Sequence, residues 1–151
     1  MQIASAFSVA IHILLMAEYY RDERRVTSES ISESAGTHAV VIRRIMLRLR
    51  DAGLLAVSPG VGGIRLAARP AEISLLDIYE AVRAPKAKLL FRIHRDSSPL
   101  CPVGGNIIPL LSGYFGDAQK ALEARLDSVT VQDLLADLSR LVQRKGPAER
   151  G

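Results

Sequence analysis

Residues 26–67 read VTSESISESAGTHAVVIRRIMLRLRDAGLLAVSPGVGGIRLA, and this stretch decides the fold. Its polar, small-residue start over Thr27–Ala35 predicts a short helix, and Gly36 can end it with a positive φ. After one turn residue, a second helix is expected from about His38 to Ala52, stopping at Gly53. Ile42, Ile45, Met46 and Leu49 recur at core spacing on that helix, whereas Arg43, Arg44, Arg48 and Arg50 fall on its other faces. A short apolar run at Leu54–Val57, a glycine-rich tip at 58–63 and a second run at Ile64–Ala67 then predict a hairpin. Helix, turn, helix and hairpin in this order describe a winged helix-turn-helix, a module that places one helix in the DNA major groove.

Working outward, Ile3–Ala17 is strongly apolar. It lacks a basic leader, contains His12 and meets Glu18 before reaching a membrane-spanning length. A buried helix over Ala4–Arg21 is therefore expected, covered on two sides by the winged domain and by a C-terminal helix. Downstream of the hairpin, Ser74 is placed to cap a short helix over Leu75–Val82, with Asp77 in its first turn and Ala84-Pro85 as its stop. A long helix is expected from near Asn106 to Asp127, with Pro109 tolerable only in its first turn or at a kink. Its apolar seam is Leu111, Tyr114, Phe115, Ala118, Leu122 and Leu126. Thr130 should cap a last helix over Val131–Val142. The expected fold class is mainly α with a small β wing. Its domains are a winged helix-turn-helix over 1–84, a connecting and sensing loop over 85–104 and a helical dimerisation region over 105–145.

The 151 residues are 48% hydrophobic with a net charge of +4, which describes an ordered chain with a mild preference for acidic partners. Between Arg21 and Arg69, nine arginines face five acids, so this segment carries the whole excess, while 105–145 is close to neutral. The single cysteine, Cys101, precludes an internal disulfide and fits a cytoplasmic setting. No paired carboxylates, nucleophile elbow, phosphate loop or metal-ligand spacing among His12, His38 and His94 is present, so no catalytic or metal residue is assigned and the chain is not read as an enzyme. His12 reads as a hydrogen-bonded core residue.

A groove-inserted helix needs one buried face and another free to meet phosphates and base edges. The exposed side here presents Val40, Arg44 and Leu47, flanked by Arg43, with Thr37, His38 and Ala39 in the first turn. Arg43 is assigned to base reading because a guanidinium matches the two acceptors of guanine. Arg44 and Arg48 are assigned to phosphates. Thr27 and Ser28 open the preceding helix, where free amides and the helix dipole suit a phosphate. Arg65, behind the glycine tip, can reach the backbone or a minor groove. Gly60, Gly62 and Gly63 lack the spacing of a nucleotide fingerprint and read as a flexible wing tip.

Taken together, Ile3-Ala4-Ser5, TSESISE at 27–33, VVIRRI at 40–45, LRDAGL at 49–54, GGIRL at 62–66, ISLLDIY at 73–79 and CPVG at 101–104 resemble the Rrf2 family of bacterial winged-helix regulators. This family includes the iron–sulfur cluster regulator, the nitric-oxide-sensing repressor and the cysteine-metabolism repressor. The resemblance covers about residues 3–130. It adds Ser5, Gly62 and Gly63 to the DNA-facing set and implies a homodimer joined through the long C-terminal helix. Cluster-binding relatives carry three cysteines between the wing-side helix and the dimer helix, where this chain has Cys101 alone. No iron–sulfur cofactor is therefore expected from one chain's thiols, although a site mixing Cys101 with His94 stays open. As an N-cap of the dimer helix, near Lys86, Lys88, Arg92 and Arg95, Cys101 could instead be a one-thiol sensor of oxidants or electrophiles; the bland reading is a small structural thiol.

The expected function is a sequence-specific regulator, a repressor by preference, acting as a homodimer on a palindromic operator. Its partners are double-stranded DNA, a second copy and a small-molecule or oxidant signal, with no membrane. The alternatives are a regulator that answers a metabolite or partner protein with Cys101 purely structural, and a winged-helix interaction module that does not bind DNA.

Overall fold

A computed structural model describes residues 3–60, 62–83 and 89–146, with side chains from Ser5 onward. The chain forms two compact units, Met1–Arg83 with Asp127–Gly151, and Ala84–Leu126. In the first unit the order is α1 (Ile3–Tyr19), α2 (Ser28–Ala35), α3 (Ala39–Asp51), β1 (Leu55–Ser58), β2 (Gly63–Leu66), a 3₁₀ turn at Pro70–Glu72 and α4 (Leu75–Val82). The last helix, α6 (Val131–Lys145), also packs in this unit, against α1 and the 3₁₀ turn. α5 (Ile107–Asp127) is the long helix of the second unit.

The core of the first unit is built on α1. Ala10, Ile13, Leu14 and Ala17 are buried there, and α2, α3, α4, β2 and α6 all pack against this helix. The stripe read from the sequence of α3 is the buried one: Ile42, Ile45, Met46 and Leu49. Each such aliphatic side chain contributes roughly 1.5–3 kcal/mol by leaving water, which fixes the rotation of α3 and so decides which side chains point outward. Gly36, at φ 61°, ends α2.

β1 and β2 form a two-stranded antiparallel sheet with Leu55 opposite Leu66 and Ser58 opposite Gly63. Both strands sit about one residue away from the expected ranges, because Leu54 packs in the core before the ladder starts. Three other boundaries also move. α1 stops at Tyr19, short of Arg21, and the chain turns through bonds such as Tyr20 N–H to Met16 O. α3 begins at Ala39, with His38 in the N-cap position. α6 runs three residues past Val142, to Lys145.

α4 and α6 begin side by side. Ser74 and Thr130 each cap their own helix by accepting from the backbone N–H of Asp77 and Asp133, and each aspartate accepts from its cap's backbone N–H at 2.8 Å. An antiparallel bridge joins the two starts: Leu75 N–H donates to Val129 O at 2.8 Å and Val131 N–H to Ile73 O at 2.9 Å. This bond pair explains why α6 belongs with the DNA-binding unit, whereas the sequence reading grouped all of 105–145 together. Among the described residues, no helix is long and apolar enough to cross a membrane.

Candidate nucleic-acid interface

With its apolar stripe buried, α3 turns Val40, Arg43, Arg44 and Leu47 to the outside; Val40 is 61% and Leu47 48% exposed. Such exposure of branched apolar side chains beside two arginines suits a surface that meets thymine methyls and guanine acceptors. Ala39 and Thr37 are half-buried in the turn before it, and His38 is exposed and makes no side-chain cap. Its carbonyl accepts from Val41 and Ile42 N–H, so it starts the helix through its backbone. The Thr37 carbonyl accepts from Ser32 Oγ at 2.7 Å, which stiffens the turn between α2 and α3.

Thr27 and Ser28 open α2 as expected. Thr27 is the N-cap, its hydroxyl accepting from Ser30 N–H. Ser28 Oγ donates to Glu29 Oε1 at 2.9 Å, and the Arg43 guanidinium reaches the same pair, 3.1 Å from Glu29 Oε1 and 3.4 Å from Ser28 Oγ. The base-reading candidate is therefore held by an acid from the neighbouring helix. Bonds from its own backbone amide and then from Ser28 hold the Glu29 carboxyl below its ordinary range, with Arg43 adding to them. Sequence reading missed Glu29, because residues 14 positions apart on different helices carry no local spacing signal.

Arg48 is placed differently from its expected phosphate role. Its guanidinium donates to Val82 O at 2.9 Å, satisfying a carbonyl at the C-terminus of α4. That ties the back of α3 to the last turn of α4. Arg44 and Arg65 are exposed.

The wing is anchored beside the start of α2. Ile64 N–H donates to Val26 O at 3.2 Å. Gly63 has φ 69°, and a Cβ there would lie 2.8 Å from both Val26 O and Arg25 Cγ. Gly63 is thus a packed joint rather than part of a loose tip, whereas Gly62 is exposed. Val61 lies outside the described residues, as do Ala84, Pro85, Lys86 and Lys88. Ser5, at the start of α1, is exposed. His12 is half-buried and shares a 2.8 Å hydrogen bond with Ser34 Oγ, joining α1 to α2 as a structural residue.

In the second unit, Cys101 is exposed and lies six residues before α5, so it is not the N-cap of that helix. Backbone N–H groups of Gly104 and then Val103 nonetheless pull its thiol below the ordinary value. The turn that aims them is tight: a Cβ on Gly104 would lie 2.6 Å from Ser98 O. On α5, Pro109 sits in the first turn. Along the expected seam, Leu111, Phe115, Leu122 and Leu126 are half-buried, Tyr114 and Ala118 are exposed, and the one buried residue is Gln119.

A family model described as Rrf2, iron-dependent transcriptional regulator, matches residues 3–137. The chain belongs to the Rrf2 family. YwnA of Bacillus subtilis, described as an HTH-type transcriptional regulator, is 38% identical over 136 residues, spanning 90% of this chain and 98% of its own. A transcriptional regulator from Lactobacillus plantarum, solved as a crystal structure, is 29% identical with a TM-score of 0.70, over 95% of this chain and 98% of its own. CymR, the global cysteine regulator of B. subtilis, shares the fold at 20% identity and a TM-score of 0.67, over 90% and 97% of the two chains. The winged helix-turn-helix and its regulatory class are thereby established for this Rrf2 protein. The iron of the family description does not fit the donors present. The sequence holds one cysteine and three histidines, and among the described residues no three His, Cys, Asp or Glu side chains converge.

Proposed function

We propose that this Rrf2 protein is a homodimeric repressor that reads a palindromic operator with α3. The observation that carries this reading is the outward set Val40, Arg43, Arg44 and Leu47 on a helix locked by its buried stripe. Arg43 is the base reader, released from Glu29 by the phosphates or by guanine. Arg44 and Arg65 meet phosphates, as do the amides behind Thr27 and Ser28 at the start of α2. Ser5, Thr37, His38, Ala39, Gly62 and Gly63 border the same surface. Dimerisation through α5 is supported by its apolar residues left open to water in one chain: Leu110 at 58% and Tyr114 at 72% exposed. An exposed thiol whose thiolate is favoured supports Cys101 as the point where oxidants or electrophiles act.

Selection of binding sites from random duplex DNA tests the reading. The expected product is an inverted repeat with half-sites about one helical turn apart, bound with an affinity that falls steeply with salt, as phosphate neutralisation requires. Failure to enrich any motif at low salt overturns it and leaves a protein-interaction role for the winged fold.

A further inference from the structure

The second unit contains a cavity of about 570 Å³ between the segment 89–95 and α5. Its walls are built rather than accidental. Gln119 is 6% exposed, and both ends of its amide are used: Oε1 accepts from Leu90 N–H at 3.0 Å, and Nε2 donates to Glu123 Oε1 at 2.8 Å. A buried amide is costly unless so satisfied, and here its bonds pin the extended segment along the helix. Phe91 then stacks on Phe115, ring centroids 5.2 Å apart, while Ile93 and Ile108 complete an apolar lining. Gly116 also lines the space, and a Cβ added there meets nothing within 4 Å. A glycine inside a helix costs about 1 kcal/mol relative to alanine; here it leaves the cavity its full width.

The polar contribution has one sign. Arg92 and Arg95 line the cavity and no acid does. A few charged groups in a mostly apolar concavity of this size are the pattern of a small-molecule site, and a guanidinium pairs best with a carboxylate's two oxygens. Inorganic anions would leave the phenyl and isoleucine walls wet. Neutral apolar molecules would leave two guanidinium groups without an anion. Cys101 is not among the lining residues, so this chemistry is separate from that of the thiol.

We propose that this cavity is an effector site for a small organic anion with an apolar body, an aliphatic or aromatic monocarboxylate, held by Arg92 and Arg95 at its head and by Phe91, Phe115 and Ile108 along its body. That its occupancy alters operator binding rests on the regulator reading above; that it binds does not.

Titration calorimetry of the full-length protein tests it with phenylacetate and octanoate as probes, against benzyl alcohol, octanol and inorganic phosphate. The expected result is saturable binding of at least one carboxylate, one per protomer, with no binding of the alcohols or of phosphate. Arg95→Gln removes a charge, and Gly116→Leu fills the cavity from a helical position with open space. Each should weaken binding at least tenfold while the melting transition stays cooperative. Absence of saturable carboxylate binding, or binding that both variants leave unchanged, overturns the proposal. So does loss of dimerisation in Gly116→Leu when the wild type binds neither probe, which would make the cavity an interface between two copies. Fluorescence anisotropy with the selected operator is measured separately. Ligand binding without any operator binding would sink the regulator reading and leave the site standing.

Discussion

At the scale of single residues, the consequential feature is the grip of Glu29 and Ser28 on Arg43. An ion pair with side chains 52% and 66% exposed adds little to stability, so its meaning lies in what Arg43 must release to touch DNA. Arg43→Ala should weaken the selected operator by about 1–3 kcal/mol and relax preference at one base pair. Glu29→Ala should do the reverse for random DNA. It removes a negative charge from beside the phosphates and frees the guanidinium, so non-specific affinity rises several-fold while discrimination falls; anisotropy on operator and scrambled duplexes reads both. Cys101 gives a second expectation. Its thiol is held low by the amides of Gly104 and Val103, so the thiolate persists at lower pH than in free cysteine. The iodoacetamide alkylation rate should therefore reach half its plateau below the free-cysteine value of about 8.5, and Gly104→Ala, which crowds Ser98, should move that midpoint back up. Arg43 was legible as an outward arginine on a periodic helix. Its restraint by Glu29, and the diversion of Arg48 to Val82, were not, since both are tertiary hydrogen bonds between segments that sequence spacing does not relate.

At the scale of elements, the twin caps of α4 and α6 make a joint whose strength can be measured. Ser74 is 7% exposed and satisfies the N–H of Asp77, so Ser74→Ala should cost about 1–2 kcal/mol in urea unfolding. Asp133 adds a pH dependence. The backbone N–H and then the hydroxyl of Thr130 hold its carboxyl below the ordinary value. A carboxyl depressed in the folded state stabilises above the unfolded pKa of about 3.9, and that contribution disappears as pH falls through the folded value. Asp133→Asn should accordingly lose stability at neutral pH and show a shallower acid limb below about pH 4, followed by circular dichroism. Ser74 as a cap, the limits of α4 and the stripe of α3 were all legible, because each is written in spacing local to one turn or one helix. The bridge between Ser74 and Thr130 was not, because it pairs residues 56 positions apart, and without it α6 looks like an extension of the α5 region. The wing joint behaves likewise: Gly63 reads as a loop glycine until Val26 is found against it.

At the scale of the whole molecule, the chain makes one reading unit and one long helix whose apolar side is left open. Only a polar residue, Gln119, is buried along the 21 residues of α5. This unsatisfied surface is where a second chain gains most, since apolar area hidden from water contributes roughly 25 cal/mol per Å². The periodicity of α5 announced a seam, but periodicity cannot say whether its partner lies in the same chain; Tyr114 at 72% exposure is the residue that separates the two. Tyr114→Glu should leave the protomer folded, because the side chain is already in water, and its thermal transition should remain cooperative. In the assembly the same carboxylate would face a desolvated seam, where burying an unpaired charge is prohibitive. Sedimentation velocity should then show wild type as a dimer and the variant as a monomer at micromolar concentration. Operator binding should fall at least a hundredfold, because two linked α3 helices gain the second half-site at high effective concentration and a single one does not. The salt slope should fall to about half, since half the phosphates are met. A variant that stays dimeric and binds as wild type would place the interface away from Tyr114.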